Sequence, residues 1–225
     1  MTTTVGLEEW RAMLSGAITE VRAAHALLSA LDSTCGDGDH GTTMLRAANL
    51  MAKCVERSSG ETLKGFLGEV AWTLMGMDGG ATGTLLGSFF LGVSESVASR
   101  NQLDARSLAE VLEAGLEALM QQSCARVGDK TMLDALIPAV KALRQTAEAG
   151  QSLEEALRAA ALAAGKGAES TKILVAKVGR AKYLGEKTLG AQDPGATTVS
   201  LLFKGFHEGI ENLEAQRRQL HVEKS

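Results

Sequence analysis

The sequence predicts an all-α protein, and three observations support this fold class. Alanine and leucine are abundant, whereas only 4% of the 225 residues are aromatic and 2 are proline; strands would favour aromatic and β-branched residues. Apolar residues recur at helical spacing in long segments. The 25 glycines, which weaken helix interiors, concentrate in four breaks between those segments. The length favours a single domain over residues 1–225.

Four helices are predicted in the first half of the chain. Trp10, Leu14, Ile18 and Val21 share one face of the first helix, because they recur every three or four residues. The same periodicity returns in three later segments. A turn at residues 58–62 separates the second helix from the third. The predicted helices cover residues 7–31, 44–55, 63–75 and 85–99, and the two breaks cover residues 31–44 and 76–83.

Four more helices are predicted in the second half. The sixth contains Pro138, which either kinks the helix or lies near its start. The seventh is rich in alanine, and its small side chains permit close helix packing. These helices cover residues 108–120, 133–149, 153–173 and 199–217, and the third and fourth breaks cover residues 125–132 and 179–198.

The charge and cysteine content exclude several classes of function. The net charge is −4 and no block of Lys or Arg occurs, so nucleic acid is not an expected partner. No apolar run reaches the roughly 18–20 residues of a membrane span, and the first residues lack the pattern of a signal peptide. Three cysteines without CxxC spacing indicate reduced thiols. We therefore expect a cytoplasmic protein with no membrane partner.

The first break contains three aspartates, Asp32, Asp37 and Asp39, interspersed with glycines. Carboxylates this close in sequence repel one another unless a cation lies between them, and hard oxygen ligands suit Mg²⁺ or Ca²⁺. An EF-hand is excluded because the required glutamate is missing at the twelfth loop position. The alternative is an Asp/Gly turn in which Thr42 or Thr43 caps the next helix.

Small residues from Gly79 to Thr84, at the end of the second break, open the next helix. Unpaired N–H groups at a helix start form an anion site. The loop lacks the lysine of a P-loop, and no strand precedes it as in a dinucleotide fold. Close helix packing through glycine is the alternative interpretation.

The third and fourth breaks each have a functional and a purely structural interpretation. In the third, Asp129 is a natural helix N-cap. In the fourth, Arg180 could contact a phosphate, whereas Asp193-Pro194-Gly195 is also a good turn. Taken together, the breaks supply groups for a cation, a polyphosphate and a charge clamp, which is the set needed for phosphoryl transfer.

The four breaks resemble the nucleotide-binding domain of dihydroxyacetone kinases, known as the L subunit, DhaL or DAK2 domain. The resemblance extends over nearly the whole chain, in the order and spacing of that family. The last segment is the most specific of the four. The matching segments are Gly36–Met44, Gly79–Gly92, Gly128–Asp134 and Gly179–Thr198.

This resemblance implies an up-and-down barrel of eight amphipathic helices with ADP or ATP bound at one end. Two Mg²⁺ ions would be held by Asp32, Asp37 and Asp39. A catalytic role would fall to Arg180. The other implied nucleotide-binding residues are His40, Gly41, Thr42, Thr43, Ala81, Thr82, Ser123, Met132, Asp193, Pro194 and Gly195. Ser123 departs from the family, which has glycine there.

The resemblance also implies an incomplete kinase. No segment resembles the domain that holds the ketone through a histidine, so the chain is expected to act with a substrate-binding K subunit. Two phosphoryl donors stay open: exchangeable ATP, which the segment Gly36–Met44 slightly favours, or permanently bound ADP recharged by a phosphotransferase-system phosphocarrier protein. A homodimer also stays open. The rival outside kinases is a non-catalytic helical metal-binding module.

Overall fold

The structure, a computed structural model, describes residues 2–57 and 62–222. Over these residues the chain forms eight α-helices and two 3₁₀ segments. The helices are α1 Leu7–Cys35, α2 His40–Arg57, α3 Leu63–Met75, α4 Gly80–Val97, α5 Ala105–Gln121, α6 Leu133–Glu148, α7 Leu153–Ser170 and α8 Pro194–Val222, with 3₁₀ segments at Thr171–Ile173 and Arg180–Thr188. The predicted all-α class is confirmed, since β pairing in the described residues is limited to one bridge, between Val5 and Leu103. Residues 58–61 of the predicted turn lie outside the described residues.

The helices close into a ring. Each helix packs against the next one in the chain, and α8 packs extensively against α1. The buried apolar side chains of all eight helices form one continuous core, with Trp10, Phe66, Phe90 and Phe203 among its largest members. The arrangement agrees with the barrel that the resemblance implies.

The contact between α1 and α8 depends on glycine. A Cβ atom on Gly16 would lie 2.0 Å from the carbonyl oxygen of Gly205, and one on Gly209 would lie 2.1 Å from that of Ala12. Two helix backbones can approach this closely only where side chains are absent. The first and last helices are thereby held together, which closes the barrel.

Several helices begin at recognisable capping residues. The Thr62 hydroxyl accepts a hydrogen bond from the Gly65 N–H, and the Asp104 carboxylate accepts one from the Ser107 N–H. Ser152 and Glu155 form a reciprocal capping box at the start of α7. Pro138 lies inside α6, where it leaves the Asp134 carbonyl without its usual helical donor. Gly167 of α7 packs directly against that carbonyl.

Short connections join the consecutive helices α1 to α7, which therefore run in alternating directions. α8 follows the longer segment 171–193 and runs antiparallel to α1, since Gly205 lies against Gly16 and Gly209 against Ala12. The connections α1–α2, α3–α4, α5–α6 and α7–α8 therefore lie at the same end of the barrel. These four connections contain the four glycine-rich breaks. No described helix is both long enough and apolar enough to cross a membrane.

Candidate functional site

The three aspartates of the first break converge where α1 ends and α2 begins. α1 continues through Cys35, so Asp32 lies in its last turn and not in a loop as predicted, while Asp37 and Asp39 lie in the short connection. Gly38 adopts a φ of +81°, which glycine permits at little cost. One carboxylate oxygen from each aspartate lies within 4.8 Å of the other two.

This donor set fits a hard divalent cation. Three carboxylate oxygens are brought together, and a cation between them would relieve their mutual repulsion. Asp32 is oriented by a hydrogen bond of 3.1 Å from the His40 N–H. The alternative of a threonine cap is wrong, because Thr42 and Thr43 lie within the first turn of α2, and the backbone carbonyl of Asp39 accepts the Thr43 N–H at 2.9 Å.

Arg180 brings a positive charge to this cluster. Its guanidinium forms an ion pair with the Asp37 carboxylate, although 70% of the Arg180 side chain remains exposed. Gly179, with a φ of +70°, precedes it and turns the chain toward the end of α1. The fourth break is therefore joined to the first, as expected for a charge clamp.

His40 makes a second link between these two breaks. Its Nε2 atom lies 2.8 Å from the Thr198 hydroxyl of α8. Burial lowers the pKa of His40, with Asp32 and a backbone hydrogen bond at Pro194 acting in the opposite direction. The neutral ring thus serves to hold α2 against α8. The phosphate contact implied for His40 stays a prediction.

Gly41 allows α2 to start directly on α1. A Cβ atom at this position would lie 2.0 Å from the His25 carbonyl oxygen and 2.4 Å from the Ser29 hydroxyl. Thr43 is buried beside it, whereas Thr42 is exposed at the end of the barrel.

The second break lies beside α2. A Cβ atom on Gly79 would lie 3.1 Å from the Thr43 methyl group, and the Arg46 guanidinium donates a hydrogen bond to the Asp78 carbonyl. α4 begins at Gly80 without a side-chain cap, and Ala81 and Thr82 occupy its exposed first turn. The free N–H groups at this helix start suit an anion. Close packing is also present, because Gly83 abuts the Leu74 carbonyl.

The expected helix cap at Asp129 in the third break is wrong, because α6 begins without a side-chain cap. Asp129 does not cap α6; its carboxylate accepts the Arg126 N–H at 2.8 Å. Asp134, inside the first turn of α6, instead accepts the N–H groups of Thr131 and Gly128. The residue type of Asp129 favours a helix cap. The loop before α6 instead directs its backbone N–H groups toward the Asp134 carboxylate.

Met132 and Ser123, the two residues implied near the nucleoside, have different surroundings. Met132 is buried at the start of α6, and a Cβ atom on Gly195 would lie 3.4 Å from the Met132 Cβ atom. The third and fourth breaks therefore meet here. Ser123 is partly buried, and its hydroxyl accepts the Ala125 N–H at 3.1 Å. This hydrogen bond shapes the loop and does not link Ser123 to the other site residues.

Asp193, Pro194 and Gly195 form a helix start and not an isolated turn. The Asp193 carboxylate accepts the Ala196 N–H at 2.7 Å, and its backbone carbonyl accepts the Thr197 N–H at 3.0 Å. Pro194 takes the first helical position, which suits its fixed φ. α8 therefore begins before the predicted residue 199. Burial of the carboxyl group raises the pKa of Asp193 to about 7.

Comparison with known families agrees with this arrangement. A family model described as the DAK2 domain matches residues 34–208. This range includes all four breaks except residues 31–33 at the start of the first. The chain belongs to the DAK2 domain family.

Relatives of this DAK2 protein include separate subunits of similar length. It is 36% identical over 177 residues to the "PEP-dependent dihydroxyacetone kinase, ADP-binding subunit DhaL" of Escherichia coli, covering 79% of this chain and 84% of the relative. It is 35% identical over 202 residues to the "PTS-dependent dihydroxyacetone kinase, ADP-binding subunit DhaL" of Lactococcus lactis, covering 90% and 95%.

A solved structure supports the same fold. The dihydroxyacetone kinase of C. freundii, in complex with AMP-PNP and Mg²⁺, matches with a TM-score of 0.70 and 28% identity. The match covers 88% of this DAK2 chain but 33% of that kinase. The chain thus corresponds to about one third of the longer kinase.

Two residues that the sequence did not single out also connect the breaks of this DAK2 domain. The Lys130 ammonium donates to the Thr171 carbonyl, before the fourth break, and to the Ala191 carbonyl within it. The Thr171 hydroxyl accepts the Asp193 N–H at 2.8 Å. Lys130 lies in the matching segment Gly128–Asp134 and therefore offered a weak signal. Thr171, at the end of a long helical stretch, offered none.

Proposed function

We propose that this chain is the magnesium–nucleotide-binding component of a two-part kinase that phosphorylates dihydroxyacetone or a related small ketose. The convergence of the aspartate cluster, the open start of α4 and Arg180 at one end of the barrel supports it most strongly. Phosphoryl transfer needs these three elements, because the protein mainly positions the groups and neutralises their charge. The names of the relatives agree with this proposal.

Each part of the site would have its own task. Asp32, Asp37 and Asp39 would hold Mg²⁺, and bound Mg²⁺ supplies charge neutralisation for the phosphates. The N–H groups of Gly41 and Thr42 and of Ala81 and Thr82 would donate to phosphate oxygens. Three carboxylates together with the phosphates of ADP carry enough negative charge for two Mg²⁺ ions. We therefore propose a two-ion site.

Arg180 would act on the transferred phosphoryl group. Its planar guanidinium can donate to several oxygens at once, and its position beside Asp37 keeps it at the edge of the cluster. The Asp37 carboxylate would hold Arg180 less tightly if it also bound a cation. The guanidinium would then be free to turn toward the phosphates.

Met132, Ser123 and the start of α8 would surround the nucleoside. Met132 and Gly195 lie next to each other between α6 and α8, so they would form one side of the base pocket. Asp193 would contribute by fixing the first turn of α8, since its carboxylate is engaged there. Pro194 would set the direction of that turn.

The ketose would be held by a partner, the K subunit. A small ketone offers little binding surface, so alignment with the phosphoryl donor requires a dedicated pocket. Separate ADP-binding subunits, which this chain matches over 84% and 95% of their lengths, support a similar division here. Cys35, Cys54 and Cys124 form no disulfide in the described part of the chain, which suits a cytoplasmic location.

A second candidate concerns the phosphoryl donor. The two reported relatives are named PEP-dependent and PTS-dependent, and both are named ADP-binding. Those names favour tightly bound ADP that is phosphorylated in place by a phosphocarrier protein. The AMP-PNP complex of the longer kinase favours exchange of ATP instead.

The test is to analyse the purified protein for bound nucleotide and magnesium. We expect ADP or ATP and Mg²⁺ to be recovered, and removal of Mg²⁺ to weaken nucleotide binding. Added labelled ATP separates the two donors: rapid displacement of ADP indicates exchange, whereas retention indicates a permanent cofactor. A protein that binds no adenine nucleotide in the presence of Mg²⁺ would leave the non-catalytic metal-binding module as the better explanation.

A further inference from the structure

Lys130 is an unusual lysine. Only 3% of its surface is exposed, although lysine is rarely buried without a partner. Its φ is +61°, a left-handed conformation that non-glycine residues adopt infrequently. Helix stability does not require either feature, because Lys130 lies in the loop before α6. A buried charge on a strained backbone therefore needs another explanation.

The Lys130 ammonium group bridges the two ends of one segment. Its Nζ atom donates to the Thr171 carbonyl and to the Ala191 carbonyl, each at 2.6 Å. Between these acceptors lie residues 172–190, which include Arg180. Two backbone N–H groups form further hydrogen bonds nearby. The Gly190 N–H donates to the Lys172 carbonyl at 2.8 Å, and the Asp193 N–H donates to the Thr171 hydroxyl at 2.8 Å. The segment is thus a long loop with both ends fastened at Lys130.

The surroundings of Lys130 also carry negative charge. Burial lowers the pKa of Lys130, whereas Cys35, Asp193 and Asp134 act to raise it. Cys35 is the last residue of α1, directly before the connection that contains Asp37. Lys130 therefore lies where the ends of α1, the loop before α6 and the start of α8 come together.

We propose that Lys130 is a positioning residue, which fastens the base of segment 172–190 and so holds Arg180 beside the aspartate cluster. This inference rests on the proposed function, because the benefit of a fixed Arg180 is nucleotide binding and transfer. The competing explanation is that Lys130 contributes only to the stability of the whole fold.

The main test replaces Lys130 by methionine. Lys130→Met keeps a long apolar stem and retains the same backbone strain, so the change isolates the ammonium group. Hydrogen exchange is measured well below the unfolding temperature. The amides of Leu174, Gly190 and Asp193 should exchange roughly tenfold faster or more, as expected when two buried hydrogen bonds are removed. Amides in α4 and α5 should be unchanged.

The functional readout is affinity for MgADP per folded molecule, measured by calorimetry. We expect Lys130→Met to weaken it about tenfold. In an Arg180→Ala background the same substitution should have little further effect, because its action passes through Arg180. The matched control is Lys177→Met, which removes a 63% exposed lysine from the same segment and should change both measurements less than about twofold.

The outcomes are distinct. Faster exchange across all helices with normal MgADP affinity per folded molecule would overturn the positioning role, and so would additive losses in the double variant. If Lys130→Met does not fold, Lys130→Arg, which keeps charge and donors, should fold and retain slow exchange at Gly190; fast exchange there would overturn the proposal. If the unchanged protein does not bind MgADP, the proposed function fails, while the exchange measurement still tests how segment 172–190 is held.

Discussion

The role of the aspartate cluster is tested most cleanly by Asp39→Asn. The substitution preserves the shape of the side chain and removes its charge. The Asp39 backbone carbonyl accepts the Thr43 N–H, and asparagine keeps that hydrogen bond. The side chain itself is exposed. We therefore expect the unfolding temperature to change by no more than a few degrees.

The size of the effect follows from the geometry. A cation among three oxygens that lie within 4.8 Å of one another is close to all of them. A dication about 4 Å from one carboxylate charge gains about 2 kcal/mol even at the dielectric constant of water. Losing this attraction corresponds to roughly 30-fold weaker cation binding. Loss of a coordinating oxygen adds to it, so we expect a decrease of about 30-fold or more in MgADP affinity.

The assay is calorimetric titration with ADP, once in saturating Mg²⁺ and once in EDTA. The unchanged protein should bind ADP much more weakly in EDTA. Asp39→Asn in Mg²⁺ should approach that weak affinity. The control is Asp78→Asn, an equal charge change at the same end of the barrel but outside the cluster. Salt screens such an exposed charge, so its effect should stay below about threefold. An Asp39→Asn affinity equal to that of the control would refute the metal-ligand role.

Three further predictions concern single side chains. Arg180→Ala should reduce nucleotide affinity or phosphoryl transfer with little loss of thermal stability, because an exposed ion pair contributes about 0–1 kcal/mol; a collapse of stability with normal binding per folded molecule would show a structural role. Asp193→Asn should alter the pH dependence of stability. The pKa of Asp193 is raised in the folded state from 3.8 to about 7. The stabilisation that the protonated carboxyl group provides is therefore fully present below pH 3.8 and is lost as the pH rises through about 7. Urea titrations give the unfolding free energy of the unchanged protein and of the variant. The first value minus the second should fall by up to about 1.4 kcal/mol per pH unit between these two pKa values. A difference that does not change with pH would contradict the raised pKa of Asp193. Gly41→Ala should destabilise by about 1–3 kcal/mol or more in urea, because its Cβ atom would clash with the His25 carbonyl. Gly165→Ala, in an open helical position, should instead stabilise by up to about 1 kcal/mol, and equal effects at the two sites would contradict the packing argument.

The helices could be predicted because their signal is local. Apolar residues at helical spacing mark the interior of every helix, whatever the rest of the chain does. The helix starts were less accurate. α2, α4 and α8 begin at His40, Gly80 and Pro194, before the periodic apolar residues, because their first turns face the site and carry polar or small residues.

The residues of the site also differ in how well the sequence predicts their roles. Asp32, Asp37 and Asp39 could be grouped because eight positions of sequence contain them all. Lys130 could not be interpreted, since its two acceptor carbonyls lie 41 and 61 positions away and its left-handed backbone leaves no mark in the sequence. The capping role expected for Asp129 is not filled, because α6 begins without a side-chain cap and the Asp134 carboxylate instead accepts N–H groups of the loop before it.

The division of labour between this chain and a partner is tested most directly by a coupled assay for phosphorylation of dihydroxyacetone. The purified chain is supplied with MgATP and dihydroxyacetone, first alone and then with a substrate-binding K subunit, with and without the phosphocarrier protein. We expect no turnover by the chain alone, because it corresponds to about one third of the longer kinase and the ketone is proposed to be held by a partner. Turnover should appear when the K subunit is added, in one of the two donor conditions. Robust phosphorylation by this chain alone would contradict the two-part account.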